Sequence, residues 1–279
     1  MGNRIISGQN LTANALRILE RRYLVKDESG YAIESPDNMF RRVAAVVSLI
    51  DQDPDSESQF YHMMSHLEFL PNSPTLMNAG TDIGQLSACF VIPVGDSMKE
   101  IFDAVTSMAL IHQSGGGTGF SFSRLRPRDD PVRSTGGIAS GPVSFMRIFD
   151  TATEVIKQGG RRRGANMGIL RAEHPDIMEF IFAKEKENFL TNFNLSVAVT
   201  DYFMECFIRD GDYELINPKT KQTVKSIKAR VIFDAIASAA WNTGDPGIIF
   251  IDEINRYNPV PDIGEIEATN PCGEQPLLP

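Results

Sequence analysis

The chain has 279 residues, 42% of them hydrophobic, and a formal net charge of -9. That length allows one large domain or two smaller ones around a sizeable core. The acidic charge is spread without long tracts and offers nucleic acid no diffuse attraction, and no run of about 18 apolar residues exists to span a membrane.

The start, Met1-Gly2-Asn3-Arg4, is not followed by the apolar core of a signal peptide, so the expected setting is the cytoplasm. In chain order, the first third reads as helical. Leu16, Leu19 and Tyr23 share a helical face behind a candidate cap at Thr12. Phe40, Val43, Val47 and Ile50 repeat the pattern, and Phe60, Met63 and Leu67 do so again after Ser56. Residues 1–83 are therefore expected to form a helical domain.

Near Gln85 the texture changes to short apolar runs alternating with helical patterns. Strands are expected at Leu86–Val94, Gly119–Ser123, Asn166–Leu170, Phe193–Val199 and Ile248–Ile251. Ser97-Met98-Lys99-Glu100 matches a capping box, with Ile101, Val105 and Met108 behind it on one face. Pro142 suits a first helical position, with Phe145, Phe149 and Ile156 following, and Pro175 is expected to open another helix. Ile232, Ile236 and Ala239 mark a helix that stops at Gly244. Strand–helix alternation argues for an α/β architecture over residues 84–279. The series reaches Pro276-Leu277-Leu278-Pro279 without a closing element, which suggests a fragment or one piece of a split protein.

The three cysteines, Cys89, Cys206 and Cys272, are far apart and form no CxxC pair. Neither a zinc site nor a disulfide framework is expected. Cys206 lies in an amphipathic stretch, Asp201–Phe207, and reads as structural. Around Cys272, the run Asn270-Pro271-Cys272-Gly273-Glu274 sets an amide, a thiol and a carboxylate on alternate positions. Proline and glycine rule out a helix interior there. In an extended or looped backbone these three side chains can converge on one small ligand, with the carboxylate taking a proton, the amide holding hydroxyls, and the thiol acting as nucleophile or hydrogen-atom donor. A turn with incidental polar groups is the alternative that the residues alone leave open.

The longer run Asn-Pro-Cys-Gly-Glu-Gln-Pro-Leu resembles the finger loop of ribonucleotide reductases. Four further motifs follow that family's order: Pro71-Asn72-Ser73-Pro74-Thr75-Leu76-Met77-Asn78-Ala79-Gly80, Leu86-Ser87-Ala88-Cys89-Phe90, Gly115-Gly116-Gly117-Thr118-Gly119-Phe120 and Gln158-Gly159-Gly160-Arg161-Arg162-Arg163-Gly164-Ala165. The resemblance covers nearly the whole chain. It implies a fold of a helical domain followed by the first half of a ten-stranded α/β barrel, with the finger loop threaded through its centre. It implies that Cys272 forms the thiyl radical that takes the ribose 3′-hydrogen, that Glu274 is the base at the 3′-hydroxyl, that Asn270 holds the ribose, and that Cys89 is one of two reducing thiols. The second lies past Pro279. Ser73 is implied near the substrate diphosphate, with the backbone around Ala88 and Gly117 lining the same site. Ala88 departs from relatives that carry serine, which leaves only a backbone contact.

For a deoxynucleoside triphosphate effector, the resemblance implies Asp96 at the sugar and Arg126 and Arg133 at the phosphates, where the arginine fork suits paired hydrogen bonds. A solvated basic patch of Arg124, Arg126, Arg128 and Arg133 is the plainer reading. The stretch Gln158–Met167 resembles the loop coupling effector to substrate, with Arg162 reaching the ribonucleotide. The glycine run at 115–119 is no P-loop, since no Gly-Lys-Ser/Thr follows, and tight backbone packing explains it equally well. The wording of the motifs is closer to the adenosylcobalamin-dependent class, although no cobalamin-contacting residue stands out. A thioredoxin-like reductant, the missing C-terminal half, and a homodimer such as is common in relatives complete the implied partners. Two rivals remain. One is a nucleotide-binding regulatory fragment without chemistry. The other is a hydrolase using Cys272, which His62, His66, His112 and His174 do not favour, as none is its sequence neighbour.

Overall fold

The computed structural model describes residues 11–132, 136–156 and 164–279. The chain divides into two compact units, the first running to Ala88 and the second beginning at Cys89.

The first unit is helical. Helices α1 (Ala13–Arg22), α2 (Pro36–Val47), α3 (Ser56–Ser65) and α4 (Ser73–Asn78) follow one another. Thr12 caps α1 by accepting from the Ala15 amide, and Ser35 caps α2 from the Asn38 amide ahead of Pro36. Helix α3 begins at Ser56 itself, with Asp55 before it. The apolar faces close a small core of Leu24, Met39, Phe40, Val43, Ala44, Met64, Leu76 and Ala79. Arg42 ties α4 to α2: it pairs with Glu34 at 2.8 Å and donates to the Leu76 and Ala79 carbonyls. That arrangement satisfies the carbonyls at the end of a short helix with a paired, nearly buried cation.

The second unit is an α/β layer. Strands β1 (Cys89–Val91), β2 (Gly117–Ser121), β3 (Asn166–Arg171), β4 (Phe193–Val199) and β5 (Gly247–Phe250) form one sheet, parallel throughout and ordered as in the sequence. Between them lie α5 (Met98–Gln113), α6 (Pro142–Val155), α7 (Ile177–Ile181), α8 (Asp201–Ile208) and α9 (Ala229–Thr243), and α10 (Ile251–Arg256) follows β5. Sequential parallel order with crossover helices is the pattern that repeated right-handed βαβ connections generate. Among the described residues it is an open sheet rather than a closed barrel.

Alternation along each strand sends side chains to two faces. Phe120, Phe122, Leu170, Phe193, Leu195, Val197 and Val199 point into the large core shared with the crossover helices. Phe149 of α6 meets Phe120 and Phe122 edge-on at 4.9 and 5.3 Å, a favoured aromatic geometry. A buried polar chain crosses this same side. His112 Nε2 lies 3.0 Å from Thr118 Oγ, which donates to Asn166 Oδ1 at 2.7 Å; Asn166 Nδ2 donates to Thr153 Oγ at 2.8 Å, and Thr153 donates to the Phe149 carbonyl. All four side chains are buried, and the bonds offset the cost of placing them there.

The sequence reading locates every strand of the sheet, with some ends displaced. The strand expected from Leu86 begins only at Cys89 and is three residues long. Pro175 precedes its helix by two residues, because the Asp176 amide donates to His174 Nδ1 and makes a turn first. Ser97 does cap α5, accepting from the Glu100 amide, but its hydroxyl also donates to the Glu100 carboxylate. An antiparallel hairpin of Asp212–Ile216 with Thr223–Lys228, between α8 and α9, was not expected. No helix among the described residues is long and apolar enough to cross a membrane.

Candidate active site

The opposite face of the sheet carries a second, smaller core. Met167, Ile169 and Ala198 pack there with Ile251 and Ala268. Ala268–Thr269 and Pro276–Leu277 pair antiparallel as a short hairpin whose loop is residues 270–275. This hairpin lies on β2. A Cβ on Gly119 would overlap the Thr269 carbonyl, and one on Gly117 would stand 2.8 Å from Pro271 Cγ. The glycines of the 115–119 run thus serve close packing, which permits the loop to sit directly on the sheet.

Within the loop, Asn270 is the organiser. Its amide N–H donates to the Gln275 carbonyl at 3.1 Å, its carbonyl accepts from the Gly273 amide at 3.1 Å, and its Oδ1 accepts from the Gln275 amide at 3.0 Å. Gly273 closes the turn at φ +84°, a backbone angle that a residue with a side chain resists. Asn270 Nδ2 then spends its two hydrogens on two functional groups: Glu274 Oε1 at 2.7 Å and Cys89 Sγ at 3.2 Å. Cys89 opens β1, and Asn270 is 1% exposed, so an amide held on three sides joins a thiol and a carboxylate that lie 185 positions apart in sequence. Cys272 sits exposed at the loop tip, and Glu274 is exposed as well. The convergence comes about by a turn rather than by alternate positions on an extended chain. It unites Asn270, Glu274 and Cys89 by hydrogen bonds, with Cys272 on the same loop.

The other expected residues fall elsewhere. Ser73, in the first unit, is the first residue of α4, and its hydroxyl shares a 2.9 Å hydrogen bond with Tyr23 OH. Ala88 is half-buried in the connection before β1. Asp96 and Arg126 hold each other. The Arg126 guanidinium reaches Asp96 Oδ2 at 2.7 Å, and the Arg126 amide donates to Oδ1 at 3.0 Å. Hydrogen bonding to Asp96 pushes the guanidinium above its usual range. Of the neighbouring arginines, Arg124 pairs with Glu267 and Arg128 with Glu179, and both arginines are exposed. Arg133 and Arg162 lie outside the described residues. Cys206 is buried in the large core, as the amphipathic pattern of its helix implied. Among the described residues no cluster of His, Cys, Asp or Glu could hold a metal ion.

One polar residue at the site was passed over by sequence reasoning. Asn194 of β4 faces the hairpin and donates from Nδ2 to the Pro271 carbonyl at 2.7 Å. The only signal was a polar position on the inward phase of the apolar run Phe193–Val199.

The site is a cysteine-tipped hairpin laid on one face of a five-stranded parallel sheet, with the Asn270 amide bridging the Cys89 thiol and the Glu274 carboxylate. Residues 9–84 match the family description "Ribonucleotide reductase, all-alpha domain", and residues 87–279 match "Ribonucleotide reductase, barrel domain". The chain belongs to the ribonucleotide reductase family. It is 52% identical to the vitamin B12-dependent ribonucleoside-diphosphate reductase of Thermoplasma acidophilum, over 96% of this chain and 43% of that protein. A protein of the same description from Mycobacterium tuberculosis is 50% identical over 96% of this chain and 40% of its own length. The large subunit of the vaccinia virus ribonucleoside-diphosphate reductase is 32% identical over 92% and 37%. The chain therefore spans about two fifths of the length of these curated relatives.

Proposed function

We propose that this chain supplies the finger-loop half of an adenosylcobalamin-dependent ribonucleotide reductase, which converts ribonucleotides to deoxyribonucleotides for DNA synthesis in the cytoplasm. The observation that carries this reading is the Asn270 amide bridging the Cys89 thiol and the Glu274 carboxylate at the base of a loop tipped by Cys272. The names and similarity of the Thermoplasma and Mycobacterium relatives support the cobalamin class.

In this reading the Cys272 thiyl removes the 3′-hydrogen atom from the ribose. Glu274 takes the 3′-hydroxyl proton while the 2′-hydroxyl leaves as water. Asn270 orients the sugar and spaces the two groups. Cys89 and a second thiol from outside this chain give up two electrons and two protons and end as a disulfide, which a thioredoxin-like protein reduces again. The cofactor's demand on this chain is an accessible Cys272 sulfur, and the exposed loop tip fits it; adenosylcobalamin, when bound, supplies the radical that oxidises that thiol. A thiyl left in water would be quenched, so the chemistry needs further protein over the exposed hairpin, and the C-terminal portion of the reductase is that cover. Ser73 and the backbone at Ala88 and Gly117 serve the substrate. Asp96, Arg126 and Arg133 serve effector binding, in a homodimer, and Arg162, in the stretch that couples effector to substrate, reaches the ribonucleotide. The Asp96–Arg126 pair must open or be shared when a nucleotide engages it, a coupling that effector binding energy offsets.

The test is a reduction assay with the C-terminal portion of the reductase supplied, with and without adenosylcobalamin. Product that depends on the cofactor is the expected result. Product only with an iron-bearing partner would overturn the class, and effector binding without product would favour a regulatory fragment.

A further inference from the structure

We infer that Asn194 is a positioning residue that fixes the Cys272 loop to the sheet. The inference rests on the reading of Cys272 as the reacting thiol. The hydrogen bonds made by Asn270 to Gly273 and Gln275 begin and end within the loop, so they give it shape without anchoring it. Among the described residues, these contacts join residues 270–272 to the strands beneath. Asn270 Nδ2 reaches Cys89 Sγ on β1 at 3.2 Å, a bond to a weak acceptor. The Pro271 ring rests on the bare Cα of Gly117 on β2. Asn194, on β4, donates to the Pro271 carbonyl at 2.7 Å.

This last contact is the short directional one, and it acts on the peptide unit that leads into Cys272. The Pro271 carbonyl and the Cys272 nitrogen share one rigid plane. A donor that fixes the carbonyl therefore fixes the position of the Cys272 Cα and the axis about which its Cα–Cβ bond turns. Proline narrows the options further by locking its own φ. The loop is thereby clamped from both sides of β3: from β2 by shape and from β4 by a hydrogen bond. Asn194 is itself exposed, unlike its strand neighbours Phe193 and Leu195, which sit in the core. Its side chain can thus be altered without opening the core. It also borders a cavity of about 230 Å³ with Gly164, Thr191 and Asn192, which gives a longer side chain room.

Asn194→Asp keeps the size and removes the donor, Asn194→Ala removes the side chain, and Asn194→Gln keeps the donor on a longer arm. In the reductase completed with its C-terminal portion, kcat should fall about tenfold to a hundredfold in the first two, because small displacements of a reacting group are costly. KM for the ribonucleotide should stay within about twofold, and Asn194→Gln should recover part of kcat, as expected for a group that orients rather than binds. Amide hydrogen exchange at Gly273 and Gln275 should quicken by at least about fivefold in Asn194→Asp, the scale of one lost hydrogen bond. Unchanged kcat, or unchanged exchange at these two amides, overturns the proposal. The exchange measurement needs no turnover, so it still decides the matter if the radical reading itself fails.

Discussion

The two faces of the five-stranded sheet are built from the same strands by opposite means. Towards the helices the strands present Phe120, Phe122, Leu170, Phe193, Leu195, Val197 and Val199, a continuous bulky layer. Towards the hairpin they present Gly117, Gly119, Ser121, Met167, Ile169, Asn194, Ser196 and Ala198. One face gains its stability from buried area. The other gives up side-chain volume on β2 so that a backbone can lie against it, and it holds that backbone with hydrogen bonds from Asn194 and to Cys89. Fold and site are thus carried by alternate residues of the same strands, and a change on one face should leave the other's property largely intact.

The bulky face should show the largest stability effect. Phe122 is fully buried and touches the rings of Phe120, Phe149 and Phe193. Phe122→Ala should cost about 3–5 kcal/mol of unfolding free energy in urea titration. A cost below about 1 kcal/mol would mean that the helix face is not the main core.

The polar chain through that same face predicts a pH dependence. Burial holds the His112 imidazole down to about 4 from the ordinary histidine value. The folded protein keeps it neutral, whereas the unfolded chain takes up a proton near pH 6.5. Its contribution is therefore complete above about pH 6.5 and is lost as the pH falls towards 4, with a full loss of roughly 3 kcal/mol. Burial lowers His174 in the same direction, so it adds to the slope. His112→Gln should flatten the acid side of the stability curve relative to the native chain. Parallel curves for the two proteins would remove His112 from the account.

The finger face should respond to added volume rather than to lost volume. Gly119→Ala places a methyl group where the Thr269 carbonyl lies, and overpacking of this kind costs about 1–3 kcal/mol. The hairpin should lift before the sheet melts, so amide exchange at residues 268–277 should rise while the Phe120 core keeps its protection. Uniform loss across the sheet would contradict the independence of the two faces.

Much of this division was legible in the sequence. Short apolar runs between helical patterns found the strands, and Thr12, Ser97, Pro142 and Gly244 marked helix ends through local chemistry that needs no tertiary partner. The motif around Cys272 was also plain, and its pairing of Asn270 with Glu274 is a short-range consequence of a glycine turn. What stayed hidden depends on contacts far apart along the chain. Nothing local says that Gly119 makes room for Thr269, that Asp96 and Arg126 embrace across 30 positions, or that Asn194 reaches Pro271 across 77. Glycine runs and lone polar residues in strands have many causes, and only the approach of a second segment selects one of them.

The cysteines give the finest contrast, because one substitution can be made on both faces. Cys206 lies in the helix-side core, where a serine hydroxyl would need a partner or pay for its desolvation, so Cys206→Ser should lower stability by about 1–3 kcal/mol. It should leave reduction by the completed enzyme intact. Cys89 opens β1 half-buried, with Asn270 Nδ2 beside its sulfur. Serine there keeps an acceptor for that amide, so stability should move by no more than about 0.5 kcal/mol. The hydroxyl cannot form a disulfide, however, and multiple turnover with a dithiol reductant should stop. If Cys89→Ser destabilised the chain as much as Cys206→Ser, the finger face would be a second structural core, and its thiol would need no chemical explanation.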